Sequence, residues 1–172
     1  MNSLILTERS KSPITQELST TTILISLVNS LNDLLKKIPT ESLPENEISN
    51  HFCGKKPTKI PLIEYAARLQ KCINSEVTSL ICAIIYLDRL CQKNKIKVSP
   101  MNVHRMLFVS IVLSVKFNED EHFSNSTFAK IGGVSVERLV EMEAAYLEGL
   151  DFSLFVEKVE FDVYKNYLCL KA

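Results

Sequence analysis

Three charged side chains interrupt apolar helical stripes, and charges in such positions form ion pairs or contact another protein. Asp88, Lys116 and Glu143 each stand three and four residues after a pair of apolar residues, which is the spacing of one helix face. A charge on such a face is either paired within the fold or turned toward a partner. Spacing alone leaves both alternatives open for each residue.

The sequence lacks the motifs of catalytic, nucleotide and metal sites. It contains neither G-x-x-x-x-G-K-[ST] nor G-x-G-x-x-G, so no phosphate-binding loop is indicated. His51, His104 and His122 form no H-E-x-x-H, and surface or capping roles are favoured over metal ligation. No serine elbow and no cysteine–histidine arrangement stands out. We therefore expect no catalytic residue, no metal and no cofactor.

Composition restricts the class of protein. The chain has 172 residues, of which 46% are apolar, and its 20 basic residues balance its 20 acidic ones. A dedicated nucleic-acid binder normally carries a basic surplus, so no nucleic-acid partner is expected. The 5 cysteines are odd in number and form no C-x-x-C, which favours free, buried thiols in a reducing compartment. Neither a signal peptide nor a membrane span is visible. A soluble, intracellular protein is expected, in the nucleus, the cytoplasm or both.

Helical periodicity predicts an all-α fold. Residues 99–117 are the most informative: from Met106 to Val115 they are apolar on nearly every side, and a helix of that kind is buried all round. Ser99 and Pro100 have the residue types of a helix start, and Gly132-Gly133 those of a helix end. The predicted helices cover residues 22–38, 61–73, 76–93, 99–117, 125–131, 135–149 and 157–169.

Several motifs in order resemble the cyclin box. Ile85–Arg89 is similar to its Y-[IL]-D-R signature, and Ser114–Phe117 to its small-x-K-[FY] sequence. Met142-Glu143, followed by Leu150–Phe152, is similar to its M-E…L-x-F pattern. The resemblance is closest to P-type and U-type cyclins, the single-box branch related to fungal phosphate-regulon cyclins. The motifs of that branch are Asn102–Arg105, Phe128–Val134 and Phe52–Gly54 with Pro57–Ile60.

The resemblance implies an architecture and a domain division. It implies a five-helix cyclin box with an additional N-terminal helix and a C-terminal helix. The expected divisions are a loose segment at 1–19, a helix at 20–38, a connector at 39–60, the box at 61–152 and a C-terminal helix at 153–172.

The resemblance also implies a function without catalysis. It implies a regulatory subunit that binds and activates a cyclin-dependent protein kinase by positioning the kinase's C-helix and activation segment. ATP and magnesium would belong to the kinase. By family logic Lys116 and Glu143 lie at the kinase contact. Asp88 looks internal, and we expect it to form a structural ion pair with Arg68 of the first box helix.

Two alternatives from other classes remain. A cyclin-fold transcription adaptor would bind DNA and polymerase, but zero net charge and a single box argue against it. A helical enzyme has no residue constellation in its favour. Neither a membrane nor a nucleic acid is therefore expected as a partner.

Overall fold

The computed structural model describes residues 19–36 and 46–171, and the regular structure within those ranges is entirely α-helical. This confirms the predicted all-α fold. Helices α3 to α7 fall within residues 61–152, the interval predicted for the five-helix box. The helices are α1 (Thr20–Leu35), α2 (Glu47–Phe52), α3 (Leu62–Ile73), α4 (Val77–Lys93), α5 (Val103–Asn118), α6 (Asn125–Gly132), α7 (Val136–Gly149) and α8 (Lys158–Lys171).

Helix α5 is the buried axis of the domain, as its all-round apolar surface predicted. Every residue from Met106 to Val115 is buried, and α4 makes the most extensive contact with the helix. The two serines inside this stretch are satisfied, because Ser110 Oγ donates to Leu107 O at 2.8 Å and Ser114 Oγ to Ser79 O at 2.7 Å. Small hydroxyl side chains therefore let α4 and α5 pack closely without leaving those groups unpaired.

The start of α5 differs from the prediction. The helix begins at Val103 with Asn102 at its N-cap position, whereas Ser99 opens a turn that precedes it. In that turn Asn102 Oδ1 accepts from Ser99 N at 2.8 Å, and Asn102 Nδ2 donates to Lys97 O at 3.0 Å. The asparagine side chain thus holds a local turn, which moves the helix start four residues along the chain.

A short helix, α2, occupies part of the predicted connector. Asn46 caps it by accepting from Ser49 N at 2.7 Å, and Phe52 at its end is fully buried, edge-on to Tyr146 at 5.6 Å between ring centroids. With six residues it is too short to show helical periodicity, so the sequence indicated only a linker. The rest of the predicted connector before Asn46 lies outside the described residues.

Helix α1 packs against the box. It contacts α3, α4 and α8, and Ser26 Oγ donates to Leu168 O of α8 at 3.1 Å. The helix starts after an N-cap at Ser19 and ends at Leu35, compared with the predicted 22–38. Residues 37 and 38 lie outside the described residues, as does most of the predicted loose segment at 1–19. The buried apolar side chains of α1 are Ile23, Leu24, Leu27, Val28 and Leu31.

Side chains of α4 hold the C-terminal segment in place. Arg89 binds Glu160 of α8 through both Nε and Nη2, at 3.1 and 2.5 Å, and its Nη1 donates to the carbonyls of Ser153 and Phe155. Tyr86 Oη donates to Leu154 O at 2.8 Å. A planar guanidinium can satisfy all these acceptors at once, so the predicted Y-[IL]-D-R motif fastens residues 153–160 to the box.

The glycine pair ends α6, as predicted. Gly133 has φ 73°, the left-handed conformation of a helix C-cap. Gly132 is needed for a different reason: a Cβ at this position would lie 2.3 Å from Cζ of the buried Phe108 ring. The carbonyls of the last turn are bound by α3, where Tyr65 Oη donates to Gly132 O and Arg68 Nη2 to Ile131 O.

Substituting Gly132→Ala is expected to destabilise the domain by about 2 kcal/mol, since a methyl group forced onto a buried ring costs about 1–3 kcal/mol. We expect a lower midpoint of thermal unfolding, measured by circular dichroism. Gly133→Asn is the matched control, because asparagine tolerates the left-handed conformation, and a small change is expected. An unchanged midpoint for Gly132→Ala would show that α6 can move away from Phe108.

The cysteines are free thiols, as expected, but most are less buried than expected. All 5 are unpaired; Cys82 is buried, Cys72 is exposed, and the other three are half-buried. Burial raises the pKa of Cys82 to about 11 and that of Cys91 to about 12, so both thiols stay protonated at neutral pH. Within residues 19–36 and 46–171, no helix has the length and apolar character needed to cross a membrane.

Candidate functional site

Lys116 and Glu143 form an ion pair between the end of α5 and the middle of α7. Lys116 Nζ lies 2.5 Å from Glu143 Oε1, so the structure brings together the two charges that interrupt separate apolar stripes. The lysine side chain is 24% exposed and the glutamate side chain 10%. The pair is therefore nearly enclosed, but its lysine end reaches the surface.

Asn125 joins this pair, although the sequence analysis did not single it out. Its Oδ1 accepts from Lys116 Nζ at 2.5 Å, and its Nδ2 donates to Glu143 Oε2 at 3.2 Å. It is the first residue of α6, which follows the N-cap Ser124. An asparagine beside a capping serine looks like ordinary helix-start chemistry, so no sequence signal marks it as a site residue.

The hydrogen bonds leave capacity for a partner. A lysine ammonium has three N–H donors, and Lys116 uses two of them, on Glu143 and Asn125. The ammonium also lies 5.9 Å from the centroid of the Phe128 ring. Because the geometry is fixed by three helices, the remaining donor is held near the surface, where it can bind a carbonyl of another protein.

Exposed apolar side chains flank the pair along the chain. Phe117, next to Lys116, is 53% exposed, and Val140, one turn before Glu143, is 49% exposed. Phe152 is 69% exposed, and its amide bonds to Leu147 O, one turn after Glu143. Exposed large apolar side chains are the groups that a protein-interaction surface would bury. We call Lys116, Glu143, Phe117, Val140 and Phe152 the helix-end surface.

Asp88 is internal, as predicted, but its partners differ from the prediction. It is 1% exposed, and it accepts a hydrogen bond from Tyr164 Oη of α8 and another from Gln92 Nε2 at 2.6 Å. Burial, followed by the hydrogen bond to Asp88, raises the pKa of Tyr164, so the phenol remains a donor. The carboxylate thus helps fasten α8 to α4.

Arg68 lies elsewhere, and the predicted pairing with Asp88 is corrected. Its Nη2 donates to Ile131 O at 3.0 Å, and its guanidinium carbon lies 5.1 Å from the Tyr65 ring centroid. The physical reason is that the exposed face of α3 that carries Arg68 adjoins α6, whereas Asp88 faces α8. The spacing of Asp88 along its helix agreed with an internal carboxylate, but it gave no information on which helix would face that carboxylate.

No group of three or more His, Cys, Asp or Glu side chains able to hold a metal ion occurs in the part of the chain that the structure describes. Lys116 and Glu143 provide a constrained ion pair with a spare donor, and exposed apolar side chains flank the pair along the chain. The arrangement can hold another protein by hydrogen bonds to its backbone and by burial of exposed aromatic rings.

Known proteins that resemble this chain show the family to which it belongs. The cyclin family model matches residues 12–154, which is most of the chain. The chain belongs to the cyclin family. This confirms the resemblance found in the motifs, and a regulatory role toward cyclin-dependent kinases, as a general kind of partner, goes with that membership.

Related cyclins come from plants and yeast. Cyclin-U4-1 of Arabidopsis thaliana is 32% identical over 146 residues, which are 84% of this cyclin and 70% of the relative. Cyclin-P3-1 of Oryza sativa is 31% identical over 123 residues, 72% of this cyclin and 50% of the relative. PHO85 cyclin-7 of Saccharomyces cerevisiae is 30% identical over 129 residues, 68% of this cyclin and 45% of the relative. The predicted P-type and U-type branch is therefore confirmed.

Proposed function

We propose that this cyclin binds and activates a cyclin-dependent kinase through the helix-end surface. The observation that carries the proposal is the Lys116–Glu143 pair, which is nearly enclosed except at its lysine end, with exposed Phe117 next to Lys116 in the chain. A purely structural ion pair has no need of a lysine that keeps a spare donor near the surface. Aromatic side chains and fixed charges at the centre of an interface supply most of its binding energy.

Activation would follow from the rigidity of this surface. Phosphoryl transfer in protein kinases requires the C-helix glutamate to pair with the lysine that positions the ATP phosphates. A kinase that samples several C-helix positions would be shifted toward the competent one if this cyclin bound that position best. The ion pair, fixed by α5, α6 and α7, would present its spare donor in one orientation. The cyclin itself would contribute no catalytic group.

An exchange of the two charges separates kinase binding from folding. The variant Lys116→Glu/Glu143→Lys keeps an internal ion pair but reverses which charge faces the surface. We expect its thermal unfolding to stay close to that of the parent. Kinase binding should fall by about tenfold or more, because like charges placed together in an interface are unfavourable. Capture from an extract of the source cell, followed by a kinase assay on the eluate, measures the loss.

The matched control exchanges an exposed pair on α8. Lys158 Nζ and Asp162 Oδ2 lie 2.6 Å apart, and their exchange should leave both kinase activity and stability unchanged. Full kinase activity in the eluate of Lys116→Glu/Glu143→Lys would contradict the proposal and leave the pair a structural feature. Loss of helicity in that variant would also count against the proposal, because it would show that the exchanged charges cannot pair within the fold.

A further inference from the structure

A second charged surface lies at the opposite end of α5 from Lys116. Arg105 is eleven residues before Lys116 on this helix, a separation of about 16 Å at the helical rise of 1.5 Å per residue. Arg105 is linked by its bond to Cys53 O to the loop at 53–60, which carries three lysines, and through the packed rings of His104 and Tyr65 to Arg68 of α3. Arg138 of α7 binds the carbonyl of His51, two residues before Cys53. We call Arg68, Arg105, Arg138, Lys55, Lys56 and Lys59 the basic face.

Two of the arginines converge on the end of α2. Arg105 Nη1 donates to Cys53 O at 2.7 Å, and Arg138 Nη2 donates to His51 O at 2.6 Å. Burial, and then repulsion from the Arg138 guanidinium, lower the pKa of Arg105, so the two cations are close enough to disfavour each other. Each guanidinium is held by a backbone carbonyl; Arg138 also forms an ion pair with Glu141, whereas the carbonyl bound by Arg105 leaves the charge of that arginine uncompensated.

The third arginine adjoins them through a shared aromatic ring. The centroid of the Tyr65 ring lies 5.1 Å from the Arg68 guanidinium carbon. Burial raises the pKa of the Tyr65 phenol, and the positive charges of Arg68 and Arg105 act in the opposite direction. The Tyr65 hydroxyl donates to Gly132 O at 3.1 Å, which fixes the ring. Arg68 is itself tied to Ile131 O. All three arginines are thus bound to backbone carbonyls, and His104, next to Arg105, packs edge-on against the same Tyr65 ring at 5.2 Å between ring centroids.

The lysines lie on a loop that is anchored to the start of α5 at both ends. Gly54 N donates to Met101 O at 2.8 Å, and Ile60 O pairs with His104 Nε2 at 2.8 Å. Between these anchors Lys55, Lys56 and Lys59 are exposed. The loop therefore adds positive charge beside the arginines without taking part in the core.

Within the described ranges, neither Arg68 nor Arg105 contacts a carboxylate, while Arg138 binds Glu141 at 2.9 Å. A guanidinium carries five N–H donors, and each of Arg68 and Arg105 uses one. Concentrated positive charge in a chain of zero net charge, with spare donors in fixed forks, suits a compact dianion. A phosphate monoester is the dianion that proteins carry on peptide segments.

We propose that the basic face binds a phosphorylated peptide segment of a partner protein. This docking is separate from kinase binding and would leave the helix-end surface free. A regulator or substrate held there would be tethered to the kinase complex, which raises its effective concentration at the active site.

The test uses the full chain and a degenerate peptide pool with one fixed phosphoserine, labelled for fluorescence anisotropy, together with its unphosphorylated counterpart. We expect the phosphorylated pool to bind about tenfold or more tightly, since charge-assisted hydrogen bonds to the phosphate are lost in the counterpart. Affinity should decrease as salt is raised. Arg138→Glu supplies a carboxylate beside Arg105 and should remove most of this binding.

A second variant tests whether a loss of binding by Arg138→Glu comes from misfolding. Lys55→Gln/Lys56→Gln/Lys59→Gln alters only exposed loop side chains and should weaken phosphopeptide binding severalfold while the unfolding midpoint stays unchanged. Lys158→Gln on α8 is the control and should bind like the parent. Equal binding of the two pools, or full binding by both basic-face variants, would overturn the proposal. A glutamate-rich peptide that binds as tightly would overturn its specificity for phosphate. Kinase capture by Arg138→Glu should be unchanged, so this test can fail while the proposed kinase binding stands.

Discussion

Deleting residues 1–40 is expected to prevent the remaining chain from folding stably. The deletion removes the five buried apolar side chains of α1 and uncovers their neighbours on α3, α4 and α8. Burial of each such side chain contributes about 1.5–3 kcal/mol, so the loss is on the order of 10 kcal/mol. A domain of this size has a net stability of about 5–15 kcal/mol. Aggregation, or binding of an apolar dye with loss of a cooperative unfolding transition, would be observed.

Two single substitutions test the same helix with matched chemistry. Leu27 is 2% exposed and Ile25 is 42% exposed, so they lie on opposite faces of α1. Leu27→Asp should unfold the domain, whereas Ile25→Asp should leave its unfolding midpoint unchanged. Loss of kinase capture by Ile25→Asp alone would place the outer face of α1 at the interface. A stable Leu27→Asp protein would contradict the packing described for α1.

Substituting Asp88→Ala is expected to cost about 3 kcal/mol, because hydrogen bonds to a charged group contribute about 1.5–3 kcal/mol each. The carboxylate is 1% exposed, and its loss removes the acceptor of both Tyr164 Oη and Gln92 Nε2. The thermal midpoint should fall by roughly 6–12 °C at about 2–4 °C per kcal/mol. Urea unfolding followed by circular dichroism would give the free energy of unfolding directly.

The comparison with Tyr164→Phe shows how much of that cost comes from one hydrogen bond. This variant keeps the buried ring and the Asp88–Gln92 contact, so a smaller loss than for Asp88→Ala is expected. The helix-end surface is untouched in both variants, and any kinase binding by the folded fraction should be retained. A midpoint for Asp88→Ala within one degree or so of the parent would indicate that α8 is not fastened through this carboxylate.

The buried axis and the internal charge were predictable because they depend on residues near one another in the chain. A run such as Met106 to Val115, apolar except for two small serines, requires burial on all sides, whichever helices surround it. Asp88, at an apolar spacing on α4, was expected to be internal, and it is 1% exposed. The Gly132-Gly133 helix end follows from backbone conformation alone.

The partners of those residues were not predictable, because they come from distant parts of the chain. Asp88 meets Tyr164 across 76 residues, and no local pattern distinguishes that contact from one with Arg68. Helix α2 was missed because six residues give no periodicity. At the candidate site the sequence supplied Lys116 and Glu143 as charges on stripes, and the family resemblance supplied their role. Asn125, which bridges them, required the structure.

The contact between α1 and α8 also governs when this protein can fold during its synthesis. Ser26 finds its acceptor, Leu168 O, 142 residues later in the chain. On the ribosome, α1 emerges first, and its apolar face lacks its cover from α8 until almost the whole domain has been translated. Contacts of such high sequence separation slow folding and prolong the exposure of apolar surface. We therefore expect the apolar face of α1 in the nascent chain to stay partly uncovered until α8 has been translated.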